Sequence, residues 1–397
     1  MMNYPGVIFN NEEVLAKIQA AKEANKVIDG HAPFVSGEDL KKYVAAGIST
    51  DHECTNLEEA LEKISLGMKI LIREGSAAKN FDNLFSLIEM FPDKIMFCTD
   101  DCHPDDLVKK HINNFVIRAV EKGANLFNVL KIVSKNPIEH YKLNVGWVQE
   151  KQFADFIVVD NLLNFNVLET YVKGEKVYAN KKVLFPEIFT SKLNYFERTF
   201  LSQENISVKD EGRNIKVIEV IENELITRKL ILTSKVENGF LVSDVERDIL
   251  KIVVANRYDN FSKVSVGFVR NFNLKNGAIA SSIAHDSHNL IALGTSDSLI
   301  LKAINKVIEH KGGIVACDED EIIILPLNIA GLMTDSDGYS TASLYENLNK
   351  KVQNFGSTLK APFMTLSFIA LLVIPELKIG DKGLFDVTNF QLTSLFE

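Results

Sequence analysis

Val27-Ile28-Asp29-Gly30-His31-Ala32-Pro33 opens the stretch that decides the fold, and three comparable units follow it. Ile48-Ser49-Thr50 leads into Asp51-His52-Glu53. Met68–Ile72 leads into Arg73-Glu74-Gly75-Ser76, and Ile95–Cys98 leads into Thr99-Asp100-Asp101. Each is a short apolar run ending in a polar cluster, and helical stretches separate them. Ser36 with Asp39 and Thr55 with Glu58 have capping-box spacing, and Gly47 and Gly67 are natural helix ends. A further helix is expected from about Asn80 to just before Pro92, and one from the Asn11 cap to about Lys26. Strands alternating with helices at this length predict a parallel sheet with right-handed crossovers. Every polar cluster sits at the C-terminal end of its strand, where such sheets and barrels gather their active sites. Four units fill only half a (β/α)8 barrel, so the sheet is either a smaller open one or a barrel whose first half is absent.

Two more helices are expected near Pro104–Lys122 and Leu126–Ser134. A small β segment follows, with strands at Phe156–Val159, Val167–Val172 and Lys176–Tyr178 around a turn at Gly174. Residues 185–211 read as a linker. Beyond them a second α/β region has candidate strands at Ile215–Val220, Leu230–Leu232, Lys251–Ala255, Val264–Phe268, Ala278–Ile283, Ile314–Ala316 and Ile322–Leu325. A helix there runs from the Ser296 cap to about His310. The expected organisation is α/β: a partial TIM-like barrel, its second half, over 1–142, a flanking β segment over 143–190, and a C-terminal α/β domain over 191–397.

Composition narrows the function. The 397 residues are 46% hydrophobic and 24% charged, ordinary for a globular protein with a sizeable core. A net charge of -9 argues against nucleic acid, whose phosphates draw basic faces. Apolar runs such as Phe368–Pro375 are too short to span a bilayer, and Met1-Met2-Asn3-Tyr4-Pro5 has no signal-peptide character. Four cysteines without C-x-x-C spacing make no disulfide framework, which points to a reducing cytoplasm.

His31, His52 and Asp100 stand at successive strand ends, and two imidazoles with a carboxylate are a common ligand set for a divalent metal. A single histidine at a strand end is more often structural; three candidates in register shift the balance toward ligands. Glu53 and Glu74 have an equally good structural reading, as ion-pair partners of Arg73 or a lysine. His285 and His288, three apart, would share a face if helical.

The ordered set Gly30-His31-Ala32-Pro33, Asp51-His52-Glu53-Cys54-Thr55, Leu71-Ile72-Arg73-Glu74-Gly75-Ser76 and Cys98-Thr99-Asp100-Asp101 resembles the strand-5 to strand-8 motifs of adenine deaminases, in the metal-dependent amidohydrolase superfamily. Ala154-Asp155-Phe156-Ile157-Val158 resembles the β segment after the barrel. Ile283-Ala284-His285-Asp286-Ser287-His288-Asn289 resembles a motif of the extra domain those deaminases carry. The resemblance implies hydrolysis of adenine to hypoxanthine and ammonia, in purine salvage. It implies His31, His52 and Asp100 as metal ligands, with Asp100 also moving the water proton. Glu74 is implied as proton shuttle, and Arg73, Ser76, Asp101, His285 and His288 as purine contacts. The implied metal is manganese, with iron or zinc as alternatives. Such chemistry needs a nucleophilic water at neutral pH and an acid and base for the ring nitrogen and the water.

The chain departs from the family in lacking a His-x-His pair, and its start resembles the family just after the place of a bridging glutamate. That implies a chain without the first half of the barrel, with exposed sheet edges. Residues 1–397 alone are then expected to be inactive and poorly soluble, the missing half being supplied by a neighbouring reading frame or a mis-called start; the expected partner is that N-terminal half or, as a homo-oligomer, another copy of the chain. The alternative is an inactive remnant or partner subunit. Another cyclic-amidohydrolase activity is disfavoured by the second domain.

Overall fold

The computed structural model describes every residue except 77, 187–190 and 223. It divides into two compact units, Met1–Phe189 and Thr190–Glu397.

In the first unit, strands β1 (Thr50–Asp51), β2 (Lys69–Arg73) and β3 (Ile95–Cys98) form a parallel sheet in that order. The helix Leu57–Ser65 crosses from β1 to β2, and two short helices, Phe81–Leu84 and Leu87–Met90, cross from β2 to β3. Ile70, Ile72 and Ile95 are fully buried against Ala60, Phe81, Leu84 and Phe115. Burial of this apolar face, at about 1.5–3 kcal/mol per large side chain, drives the layering. Among the described residues there is no closed barrel.

The strand expected at Val27–Asp29 does not form. The segment lies beside β1, yet its one backbone hydrogen bond to that edge among the described residues is Ser49 N–H to Ile28 O, which the Ser49 hydroxyl also reaches. Side chains take over the rest of the edge: Thr50 Oγ1 accepts from Gly30 N–H and donates to the Asp29 carboxylate. A Cβ on Gly30 would stand 2.0 Å from Thr50 O, so only glycine lets the backbone pass this close.

Caps explain the helix starts. Asn11 accepts from Val14 N–H and starts the helix Glu12–Glu23. Ser36 precedes the helix Gly37–Ala45 but makes no side-chain cap, and the next helix is capped by Asn56 rather than Thr55. The Thr55–Glu58 box fails because Glu59 supplies the carboxylate, accepting from Thr55 N–H. The single helix expected over Leu126–Ser134 is an α turn, Leu126–Leu130, running into a π-helical stretch, Lys131–Lys135. A four-stranded antiparallel sheet closes the unit: β4 (Phe156–Val159), β5 (Val167–Val172), β6 (Glu175–Ala179) and β7 (Lys182–Val183).

The second unit is a three-layer α/β/α body. Its eight-stranded sheet uses β8 (Ile215–Val220) and β9 (Thr227–Leu232). After the β10–β11 hairpin (Lys235–Glu237 and Phe240–Val242) come β12 (Ile249–Ala255), β13 (Ser265–Arg270), β14 (Ala278–Ser281), β15 (Leu290–Gly294), β16 (Gly313–Cys317) and β17 (Ile322–Pro326). The order is β17-β16-β14-β15-β12-β13-β8-β9, with β13 and β8 the parallel pair. The central strand β12 is buried throughout, because helix Asp297–Glu309 covers Val253 and Ala255 while helices Gly338–Asn354 and Pro362–Phe368 cover the face of Ile252 and Val254. Strands β18 (Leu377–Gly380), β19 (Gly383–Asp386) and β20 (Gln391–Thr393) add a small antiparallel sheet.

Residues 191–211 are not a free linker. Arg198, buried, donates to the carbonyls of Asn256, Asn260 and Ser262, and Leu201 and Ile206 join a core cluster of the second unit. Residues 187–190 of the expected linker lie outside the described residues.

Candidate active site

The C-terminal ends of β1, β2 and β3 carry the chemistry. His52 and Glu53 follow β1, Arg73 ends β2, Asp100 follows β3, and His31 follows the extended segment beside β1. His31 Nδ1 lies 3.3 Å from His52 Nε2, and Glu53 Oε1 lies 3.3 Å from each of those nitrogens. These three buried or half-buried donors therefore form an equilateral triangle. Donors bound at about 2.0–2.1 Å around a tetrahedral ion stand roughly 3.3 Å apart. The triangle thus has the edge length that a divalent metal requires, and the residues fit one.

Arg73 is buried beside it. Its Nη1 bonds Glu53 Oε1 and donates to Asp100 Oδ2 at 2.7 Å, and its Nη2 donates to Glu53 Oε2 at 3.2 Å. Asp100 reaches the triangle through this guanidinium. Its backbone is left-handed, φ +52°, a region that aspartate tolerates better than most residues. Asn80 fixes the strand end from behind, accepting from Arg73 N–H and donating to the carbonyls of His52 and Cys54.

The charges follow from these neighbours. Burial opposes ionisation of Glu53, yet the His52 hydrogen bond and the charges of Arg73 and His31 hold its carboxyl down at about 2. Burial lowers the pKa of His31. Burial also works against a charged His52, but Glu53, Asp100 and Asp51 outweigh it and raise the ring above its usual value.

This gives a pH prediction. Glu53 is depressed from 4.5 unfolded to about 2 folded, so its stabilisation is complete above pH 4.5 and is lost as pH falls through 2. The loss is about 3 kcal/mol at 1.36 kcal/mol per unit. Urea unfolding of the metal-free chain across that window should show this acid step, and Glu53→Gln should flatten it. An unchanged slope in the variant would contradict the pairing.

Other residues singled out by sequence lie elsewhere. The Glu74 carboxylate is held at 2.7 Å by Arg118, on helix Ile112–Glu121, and is not brought into the triangle. The reason is alternation: successive residues at a strand end face opposite sides, so Arg73 turns to the site and Glu74 to the helix layer. Arg73, expected as a purine contact, has its Nη donors committed to carboxylates. Ser76 Oγ donates to Asp106 at 2.7 Å and accepts from His103 N–H, so it clamps the loop. Asp101 sits in the same loop, its carbonyl accepting from Ser76 N–H. Glu53, read from sequence only as an ion-pair partner, is both that and the third corner of the triangle; its adjacency to His52 was the available signal.

His285 and His288 belong to the second unit. They lie in the β14–β15 turn rather than on a helix. The His285 ring stacks on Phe368 at 4.9 Å and pairs with Asp286. Burial, then the charges of His285 and Arg257, lowers the pKa of His288. The four cysteines are free, and among the described residues no helix is long and apolar enough to cross a membrane.

Comparison with known proteins settles the family. The amidohydrolase family model matches residues 1–177, and the adenine deaminase C-terminal domain model matches 224–391. An adenine deaminase of Methanosarcina acetivorans is 51% identical over 100% of this chain and 73% of its own length. The chain belongs to the adenine deaminase family. Other adenine deaminases agree: that of Sulfurovum sp. is 51% identical over 98% of this chain and 72% of its own length, and that of Parabacteroides distasonis 47% over 100% and 72%. An adenine deaminase is a hydrolase, and the amidohydrolase family generally uses a divalent metal, in keeping with the His31–His52–Glu53 triangle.

Proposed function

We propose that this chain catalyses the hydrolytic deamination of adenine to hypoxanthine and ammonia, in purine salvage in the cytoplasm. The observation that carries the reading is the triangle of His31 Nδ1, His52 Nε2 and Glu53 Oε1 with 3.3 Å edges. In this reading β1 to β3 are strands of the second half of a TIM-like barrel, and the three donors hold Mn2+, or Fe2+ or Zn2+. An ion held there would supply the Lewis acidity that makes water nucleophilic near neutral pH. Asp100, more open than the other carboxylates of the cluster, takes the water proton and returns it to the purine or the leaving amine. Arg73 helps to keep Glu53 ionised and orients Asp100 through its hydrogen bond. Ser76 and Asp101 shape the rim against which the ring would lie. Glu74 reaches the purine as a shuttle only if it leaves Arg118.

A second reading rests on Arg73. A guanidinium already bridging Glu53 and Asp100 neutralises carboxylates that a metal would otherwise use, which favours a chain that keeps the fold as a partner or remnant without the chemistry.

The test is to treat the full chain with a chelator, add Mn2+, Fe2+ or Zn2+, and follow adenine loss, hypoxanthine and ammonia. Metal-dependent conversion with equal amounts of both products is expected. Metal binding without conversion would leave the triangle as a metal site without the deaminase chemistry, and no binding of any of the three ions would remove the first reading and support the second.

A further inference from the structure

Beside the triangle lies a buried cage of charged side chains whose hydrogen bonds go to one another and to backbone rather than to the three donor atoms. Asp51, Lys63 and Glu59 are all buried. Asp51 Oδ1 accepts from Ala32 N–H at 2.8 Å, and Oδ2 accepts from Glu53 N–H at 3.0 Å. Lys63 Nζ donates to Ala32 O at 2.7 Å, to Asp51 at 3.0 Å and to Glu59 at 2.7 Å. Glu59 accepts from Phe34 N–H at 3.0 Å and from Thr55 N–H at 3.1 Å. The backbone after His31 is thus tied at Ala32 and Phe34, and the backbone around His52 at Glu53 and Thr55, to one ionic unit. Cys54, also buried, adds a contact to Asp51 at 3.3 Å.

We infer that Asp51, Lys63 and Glu59 are positioning residues that set the His31–His52 separation for metal binding. The inference rests on the metal reading proposed above. Two observations support it. A metal-binding histidine usually has its second ring nitrogen hydrogen-bonded, which fixes the ring. His31 Nε2 is buried and without a hydrogen-bond partner among the described residues, so that nitrogen does not fix the ring and the backbone must: Tyr43 Oη accepts from His31 N–H, and the cage holds Ala32 and Phe34 just after it. Moreover, a buried ion pair is often no more stabilising than apolar residues of the same volume, so stability alone does not account for three buried charges here. Their hydrogen bonds converge on the two histidine-bearing loops, which is the arrangement that positioning demands.

The experiment uses the full chain and Co2+ as a spectroscopic probe, in the absence of adenine. Lys63→Met with Asp51→Asn removes both charges together. The expected result is a fold retained by far-ultraviolet circular dichroism, a Co2+ affinity weaker by about 10–100-fold, and a weaker, shifted Co2+ visible band. Lys251→Met with Asp297→Asn, an ion pair of the second unit between a buried lysine and a half-buried aspartate, is the control and should leave Co2+ binding unchanged. If the first double variant does not fold, Glu59→Gln takes its place, since it keeps neutral hydrogen bonds; a loss of about threefold or more is expected from it, below the full effect of losing an outer partner. A folded variant that binds Co2+ with the wild-type affinity and spectrum overturns the inference. Loss of Co2+ binding in His31→Ala tests the metal reading separately: if that variant binds normally, the triangle is not the site, whereas a normal His31→Ala loss with an unaffected cage variant removes only the positioning role.

Discussion

Replacing His52 by alanine is expected to abolish deamination, with kcat/KM falling on the order of 10³-fold or more, about 4 kcal/mol of transition-state stabilisation. His52 Nε2 is one corner of a triangle with only three corners, at 3.3 Å from each of the other two. Partners of ligands that do not touch the metal are worth about 10–100-fold in affinity, and a ligand itself should exceed that. Removal of His52 also strips the hydrogen bond that holds down Glu53, so the two remaining donors are less well prepared. Metal content after dialysis and initial rates on adenine should fall together. His310→Ala, at the end of helix Asp297–Glu309, is the control and should change neither. Wild-type metal content in His52→Ala would rule out the triangle.

Arg73→Met should have the largest effect on stability, about 3–5 kcal/mol in the metal-free chain. The methionine leaves Glu53 buried with its main counter-charge gone and frees Asp100 from the bridge. Since Arg73 helps to depress Glu53, the acid step should move to higher pH in the variant. A divalent ion should then matter more to the variant than to the parent, because it replaces the missing positive charge and binds only the folded state. Denaturant midpoints with and without Mn2+ measure both effects. Arg73→Lys should recover only part of the loss, because an ammonium cannot bond both Glu53 oxygens and Asp100 as a planar fork does. A variant as stable as the parent without metal would show that the bridge contributes little.

Much of the architecture follows from local pattern. Ile95–Cys98, Phe156–Val159, Val167–Val172 and Ile215–Val220 are strands with the bounds their apolar, β-branched runs predict. The caps at Asn11 and Ser296 form as their residue types require. Several elements escaped that reading, among them a central strand and a long helix of the second unit. Strand Leu290–Gly294 lies close behind the His285–His288 turn, and its Leu-Ile-Ala-Leu-Gly run has a single β-branched residue, so it carries little strand signal. Helix Gly338–Asn354 is rich in polar residues, and its signal was the spacing of Thr341, Tyr345, Leu348 and Val352, which share a buried stripe.

The sequence by itself determined that histidines and carboxylates stand at the ends of successive strands, since strand length and residue order are local properties. Only the tertiary structure decided which of them meet. Val27–Asp29 lost its ladder to the Thr50 and Asp29 side chains, Glu53 took the third corner of the triangle, and Arg73 came between it and Asp100, while Glu74 turned away to Arg118. Contacts between residues twenty or more positions apart depend on how the strands lie side by side and which way each side chain leaves its strand end. No spacing along the chain encodes that.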